Sequence, residues 1–242
     1  MDIRHGQGRS ARRSFVVALI AISFAAVAVP AGAASITFTS ASAFDAAAPG
    51  LPLETFETGL VSPGSVTVCA GALSSASGSA CFPVGGLLPG VSYGDPSQSM
   101  VVLGSNFAGV GNTSKVLGPN LFADTFNIRF AGLPNAVGFD VFPGPAAGNV
   151  LISLFSPTDI SLGVFVGSVP VGGRFFGLIS DTDAIGRINV ASQASISGEL
   201  IDNLRFGVAP TSAVPEPASL ALVECRKLDG SDNALLRYRA SR

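Results

Sequence analysis

The fold is indicated most clearly by the stretch TFNIRFAGLPNAVGFDVF, residues 125–142. Apolar and polar residues alternate in its two halves, and this is the period of a β-strand with one buried face. Phe126, Ile128 and Phe130 therefore share one face of a first strand, and Val137 and Phe139 share one face of a second. Each apolar row needs a facing layer to cover it. The stretch predicts two packed sheets.

Similar short runs, separated by Gly, Pro, Asn and Ser, recur between residues 35 and 213. The predicted strands lie near Ser35–Thr39, Leu53–Glu57, Ser65–Cys69, Ser99–Leu103, Thr125–Phe130, Ala136–Phe142, Val150–Phe155, Leu162–Val169, Arg174–Ser180, Ile185–Val190 and Leu200–Phe206. Only Ala41–Ala48 predicts a helical turn, with Ser42 as its N-cap and Asp45 three residues later. The pattern indicates an all-β fold, a single β-sandwich of the jelly-roll or concanavalin-like type.

The N-terminal residues 1–33 are typical of a signal peptide. Arg12 and Arg13 precede the apolar segment Phe15–Val29, and Ala31-Gly32-Ala33 supplies the small residues that signal peptidase accepts. The segment is shorter than the roughly 20 apolar residues of a spanning helix. The paired arginines leave both the Sec and the twin-arginine routes open. We expect an exported protein whose folded domain comprises residues 34–209.

Residues 34–217 are acidic, with 12 Asp and Glu against 5 Lys and Arg, a net charge of −7. A domain without a basic stripe argues against nucleic acid as a partner, because phosphates need Lys and Arg. Cys69 and Cys81 flank a run of small residues in this domain, and they predict a disulfide in an oxidising compartment. Two unlinked buried thiols are the alternative. Cys225, in the C-terminal tail, has no partner left.

The chain offers few groups for catalysis. Its one histidine, His5, lies in the predicted leader, so a Ser triad, a Cys-His pair and a zinc site all lack an imidazole. Gly90–Gly94 matches the G-x-S-x-G pattern of serine hydrolases, but we interpret Ser92 as a turn residue. Hydrolysis by a carboxylate pair stays open. We predict no catalytic residue.

The C-terminal run Val214-Pro215-Glu216-Pro217-Ala218-Ser219-Leu220-Ala221-Leu222 resembles the PEP-CTERM sorting signal, also known as the ice-binding-protein C-terminal motif. The resemblance implies an exported protein of a Gram-negative bacterium that makes extracellular polysaccharide, with a tag at Pro215, Glu216 and Pro217 that an exosortase processes. Residues 210–223 then form a linker and the motif.

The tag departs from its family because charged residues follow Val223, where the family has a spanning apolar stretch. A truncation or frame change after Val223 would explain the departure. As written, residues 224–242 form a polar tail that provides no stable transmembrane anchor.

The domain itself resembles a β-sandwich common among PEP-CTERM proteins. The resemblance lies in Ala136–Val141, Gly173–Ser180 and Leu200–Gly207. It implies a fold and an extracellular address without implying a reaction.

Phe56-Glu57-Thr58-Gly59 and Ile201-Asp202-Asn203-Leu204 resemble the terminal pieces of jelly-roll carbohydrate-binding modules, in which such carboxylates hold Ca²⁺. The resemblance implies a structural calcium site at Glu57 and Asp202. Alternatively, both carboxylates are ordinary acceptors of backbone hydrogen bonds.

Tyr93, in a stretch of Gly, Pro and Ser, is the candidate platform for stacking on a sugar, and a partly buried loop anchor is its alternative. We assign the phenylalanines mainly to the interior. The main hypothesis is a non-catalytic structural or adhesive component of the cell envelope or extracellular matrix. The alternatives are a carbohydrate-binding module for exopolysaccharide and a carboxylate-dependent glycan hydrolase.

Overall fold

A computed structural model describes residues 35–121, 124–181, 183–193 and 199–210. The described chain contains one short helix, α1 (Ala41–Ala47), and strands separated by turns. The strands are β1 (Ser35–Phe38), β2 (Leu53–Glu54), β3 (Val66–Ala70), β4 (Leu73–Ser74), β5 (Val91–Gly94), β6 (Ser99–Leu103), β7 (Val116–Pro119), β8 (Phe126–Phe130), β9 (Ala136–Phe142), β10 (Gly148–Phe155), β11 (Ser161–Val169), β12 (Arg174–Ser180), β13 (Arg187–Ser192) and β14 (Leu200–Gly207).

The strands form two antiparallel sheets. Sheet A has the order β1-β12-β9-β14-β7-β6-β3, with the short β2 also paired to β14. Sheet B has the order β11-β10-β13-β8-β5-β4. The stretches at residues 136–141, 173–180 and 200–207 supply three neighbouring strands of sheet A. The prediction of an all-β fold with a single β-sandwich is confirmed.

The main core lies between the sheets. Phe126, Ile128 and Phe130 of sheet B and Val137 and Phe139 of sheet A all contribute buried side chains to it, as their alternation predicts. Aromatic rings also meet across the two sheets, and one such pair is Phe130 of β8 with Phe206 of β14, whose centroids lie 5.4 Å apart. Burial of these two facing rows of apolar side chains is the main force that holds the layers together.

The outer face of sheet A is covered at one end by α1. Phe44 of the helix is fully buried and lies against a cross-strand pair of glycines, Gly138 and Gly177. A Cβ at Gly177 would come within 2.7 Å of the Phe44 ring. The glycine pair therefore forms the seat for the helix. The N-cap of α1 is Ser40, whose hydroxyl accepts from the Ala43 N–H, so the prediction of Ser42 as N-cap is wrong.

The other end of this face is covered by the connection between β6 and β7. Val110 and Phe107 of that connection pack onto side chains of four strands, β6, β7, β9 and β14. The covered side chains are Val101, Leu103, Val116, Phe142 and Leu200. Together with α1, this second layer covers the middle of the outer face of sheet A, while Ile36 of β1 and Val66 and Val68 of β3 stay about half exposed on the two edge strands.

Several strand predictions need correction. The predicted strand at Leu53–Glu57 ends at Glu54, because the Glu54 carboxylate accepts the N–H groups of Phe56 and Leu88 and turns the chain. Phe56 has a φ of 57°, outside the strand region. Strands β4, β5 and β7 were missed, and Ser92, predicted as a turn residue, lies within β5.

A disulfide joins Cys69 of β3 to Cys81, with the two Cα atoms 5.6 Å apart, as predicted. It ties the connection between β4 and β5 to the edge of sheet A. A loop of this size contributes about 3 kcal/mol in the chain-entropy model.

None of the helices in the described ranges has the length and apolar character needed to cross a membrane. The predicted signal peptide, PEP-CTERM motif and polar tail lie outside the described residues, apart from Pro210 at the start of the linker.

Candidate functional site

The outer face of sheet B carries two aligned rows of residues, most of them polar. One row crosses the sheet through Phe155, Arg187, Arg129 and Ser92, which are direct partners on β10, β13, β8 and β5. The next row runs through Ser153, Asn189, Asn127 and Gly94. We call these eight residues the open face. Adjacent strands lie about 4.8 Å apart, so the face presents side chains at this interval.

An amide pair occupies the middle of the open face. The Asn127 Oδ1 accepts hydrogen bonds from Asn189 Nδ2 at 3.0 Å and from Arg187 Nη1 at 3.1 Å. These two donors fix the orientation of the Asn127 amide. Within the described residues, the Asn127 Nδ2 and the Asn189 Oδ1 have no hydrogen-bond partner. The pair thus offers an oriented donor and an oriented acceptor to a ligand.

Three contacts hold Arg187 in place. Besides the hydrogen bond from its Nη1 to Asn127, its Nε donates to Asp159 Oδ1 at 2.9 Å, and its guanidinium lies 3.8 Å from the centroid of the Phe155 ring. Val164 and Val166 of β11 border the same face and are more than half exposed, at 55% and 57%. The open face therefore combines fixed polar groups with an apolar margin.

A hollow of about 210 Å³ continues the open face at β5 and β8. Arg129, Asn127 and Ser92 line it together with Asp95. The Asp95 carboxylate accepts from Ser97 Oγ at 2.5 Å and from the Ser99 N–H at 2.8 Å. Both oxygens of the Asp95 carboxylate are therefore already hydrogen-bonded within the turn that follows β5.

A second polar cavity, of about 300 Å³, lies over sheet A between its two covering layers. Asp140 and Asp202, direct partners on β9 and β14, lie at its floor. The Asn203 Nδ2 donates to Asp140 Oδ2 at 2.9 Å and to Asp202 Oδ2 at 3.3 Å. Asp202 also accepts from the Ser114 hydroxyl and, at 2.7 Å, from the Asn203 N–H. The two carboxylates are thus held by the protein itself.

Burial raises the pKa of Asp202 from 3.8 to about 7, against the opposing hydrogen bonds from Ser114 and Asn203. Asp140 and Glu57 add a smaller repulsion in the same direction as burial. Such a carboxyl has the pKa of a general acid, but its exposed fraction is 0%. A substrate would have to displace Ser114 or Asn203 to reach it.

Glu57, the other predicted calcium ligand, is exposed. It contacts Lys115, the residue that follows Ser114 in the chain. Its Oε1 accepts the N–H of Lys115 at 2.8 Å, and its Oε2 lies 3.9 Å from Lys115 Nζ. The Lys115 ammonium is therefore the cationic partner of this carboxylate. No group of three His, Cys, Asp or Glu residues in the described ranges could hold a metal ion. Calcium at Glu57 and Asp202 stays a prediction, which a chelator-induced drop in melting temperature would support.

The prediction of Tyr93 as a stacking platform is wrong. Tyr93 lies on β5 and is 1% exposed, with its ring 6.1 Å from that of Phe126 and 5.5 Å from that of Phe56. Strand alternation turns its side chain inward, and burial raises the pKa of its hydroxyl well above 10. A ring enclosed by other rings has no face left for a sugar.

The residues of the open face were not predicted from the sequence. The polar residues that alternate with the apolar ones could have indicated them, namely Asn127 and Arg129 in one strand and Arg187 and Asn189 in another. Attention to the apolar positions alone left these four unassigned. Their meeting depends on the pairing of β8 with β13, which the separate strands do not reveal.

No family model and no curated protein matches the chain. Among solved structures, a family 6 carbohydrate-binding module is 16% identical over 47% of this chain and 85% of its own, with a TM-score of 0.26. A variant of a family 29 carbohydrate-binding module is 17% identical over 63% of this chain and 99% of its own, with a TM-score of 0.30.

The enzymatically active domain of tailspike protein 4 from bacteriophage CBA120 is also similar. It is 14% identical over 62% of this chain and 21% of its own, with a TM-score of 0.26. At TM-scores this low, the likenesses carry no argument about function, which has to be argued from the residues of this chain.

Proposed function

We propose that this chain is an exported domain that binds extracellular polysaccharide through the open face and acts as an adhesive component of the envelope or matrix. The observation that carries the proposal is the oriented amide pair Asn127 and Asn189. Sugar hydroxyls both donate and accept, and they match a surface that offers one group of each kind. Phe155, Val164 and Val166 supply apolar contact for the C–H faces of sugar rings.

Affinity gel electrophoresis with a panel of neutral and acidic polysaccharides tests this function. The double variant Asn127→Ala/Asn189→Ala should lose at least about tenfold in affinity, because each lost hydrogen bond costs about 1 kcal/mol. Asn120→Ala is the matched control, since this exposed asparagine follows β7 in sheet A. Equal binding by both variants, or binding to no polysaccharide, would contradict the proposal.

The domain has no catalytic role in this proposal. Asp140 and Asp202 are the carboxylate pair that a glycan hydrolase would use, and the hydrogen bonds from Ser114 and Asn203 support a structural role for them. Release of new reducing ends from a bound polysaccharide, abolished by Asp202→Asn, would instead support hydrolysis.

Export is part of the same proposal. The disulfide between Cys69 and Cys81 supports an oxidising compartment. Signal peptidase would remove residues 1–33, and an exosortase would act at Pro215, Glu216 and Pro217. Cell fractionation with intact-mass measurement tests this route. An uncleaved chain in the cytosol would contradict it.

A further inference from the structure

Arg129 has an uncompensated charge on the open face. It lies directly opposite Arg187, and like charges in this cross-strand position repel. Arg187 is neutralised by Asp159 at 2.9 Å. Arg129 is exposed, and within the described residues its guanidinium has neither a hydrogen bond nor a carboxylate within 4.0 Å. One guanidinium on this face is therefore free to pair with a ligand.

The surroundings of Arg129 leave room for such a ligand. Ser92 is its partner on β5, and Asn127 lies two residues away on the same face of β8. The adjacent Gly94 has no side chain, so the hollow of about 210 Å³ stays open beside the guanidinium. A hydroxyl, an amide and a guanidinium thus surround one small cavity. The Asp95 carboxylate also lines it, but both of its oxygens already accept hydrogen bonds, from the Ser97 hydroxyl and the Ser99 N–H.

We infer that the polysaccharide bound by the open face is acidic and that Arg129 pairs with a carboxylate on its sugar rings. This inference rests on the proposed function and adds the charge of the ligand. The planar guanidinium fork matches a carboxylate through two parallel hydrogen bonds. Ser92 and the free Asn127 Nδ2 then bind hydroxyls of the same ring.

Nucleic acid is the competing polyanion, and the charges argue against it. A strand of phosphates needs a series of cations. The open face has one guanidinium without a protein partner among its described residues, and residues 34–217 have a net charge of −7. A polysaccharide with one carboxylate per ring, and hydroxyls elsewhere, fits the single charge and the flanking polar groups.

Polygalacturonate and its fully methyl-esterified form provide a matched pair of probes, because they share a backbone and differ in charge. We expect the full chain to bind the acid form at least about tenfold more tightly, with the preference declining in high salt. Arg129→Ala should remove this preference, and Arg129→Lys should restore part of it. Arg174→Ala is the control, since this exposed arginine of sheet A also lacks an ion pair within the described chain.

The outcomes separate the two proposals. Equal binding of both probes, or a preference that survives Arg129→Ala, would overturn the acidic ligand and leave polysaccharide binding intact. An equal loss in Arg174→Ala would overturn it as well, because it would indicate a general effect of net charge. Tighter binding of single-stranded DNA than of polygalacturonate would refute it in favour of nucleic acid. Failure to bind any polysaccharide would overturn both proposals.

Discussion

The outer faces of the two sheets are built from similar strands and differ in what covers them. Sheet A carries α1 and the β6–β7 connection on its outer face, so Phe44 and Asp202 are fully buried there. Among the residues that the structure describes, no such layer lies over Arg129 or Val164 of sheet B, and both stay exposed. Polar residues on the first face serve the fold, whereas those on the second face are available to a ligand.

The difference is clearest in the charged residues. Asp140 and Asp202 are direct partners on sheet A and share the Asn203 amide. Arg129 and Arg187 are direct partners on sheet B, and only Arg187 has an ion pair among the described residues. The acidic pair on sheet A is thus hydrogen-bonded within the protein. In the basic pair on sheet B, only one of the two charges is neutralised by a described residue. This contrast is the physical basis for placing the ligand on sheet B.

The largest expected effect compares one phenylalanine from each face. Phe44→Ala should cost about 3–5 kcal/mol in the free energy of unfolding, because it leaves a cavity between α1 and sheet A. Phe155→Ala should cost about 1 kcal/mol, since this ring is partly exposed and contributes mainly its contact with Arg187. Urea unfolding measures both. Equal losses would mean that the two faces are covered to the same extent.

The next effect concerns the buried carboxyl of Asp202. Its pKa is 3.8 in the unfolded chain and about 7 in the folded one, so between these values the native state holds a proton that the unfolded state has released. The contribution of Asp202 to the free energy of unfolding therefore falls as the pH rises from 4 to 7, by on the order of 4 kcal/mol. Glu199, whose pKa burial also raises to about 7, contributes in the same direction.

Asp202→Asn should remove the Asp202 share of this slope. Urea midpoints at pH 4, 6 and 8 should show the variant gaining on the parent chain with rising pH, while the two should differ least at pH 4. A variant that loses stability relative to the parent at pH 8 would indicate that the ionised carboxylate stabilises the fold, as a calcium ligand would.

Alternation predicted the strands in which apolar side chains recur at every second position, and it failed where burial of every residue or turn-forming residues hide this period. Strands β8 and β9 were recognised because only every second residue needed to be apolar. All four residues of β7 are buried, and its sequence ends in Gly118-Pro119, so no alternation marks it as a strand. Strand β5 follows Gly90 and contains Ser92 and Gly94, which together are typical of a turn.

The candidate site was less accessible to sequence reasoning than the fold. Asp202 was found through a local motif, but its hydrogen-bond partner Ser114 is 88 residues away in sequence. Asn127 and Asn189 are 62 residues apart and meet only through strand pairing. Tyr93 illustrates the opposite error, because its sequence neighbours are typical of an exposed loop and its strand turns it into the core. Side-chain direction, set by pairing, decides these cases.

The smallest expected effect compares two glycines. A Cβ at Gly138 would lie 2.8 Å from the Phe175 ring and 3.1 Å from that of Phe44, so Gly138→Ala should cost about 1–3 kcal/mol by forcing α1 outward. A Cβ at Gly167 of β11 would meet no described atom within 4 Å. Gly167→Ala should therefore leave stability unchanged or raise it by up to about 1 kcal/mol, since alanine restricts the unfolded chain.

Thermal and urea unfolding of the two glycine variants measure this difference directly. A neutral Gly138→Ala would show that Phe44 does not rest on the sheet, and the covered face of sheet A would then lose its main support. Gly167 is the direct partner of the buried Val150, so its Cβ would point towards the inner side of sheet B. A large loss in Gly167→Ala would therefore reveal tight packing on the inner side of β11, next to Phe165, rather than a layer over the open face.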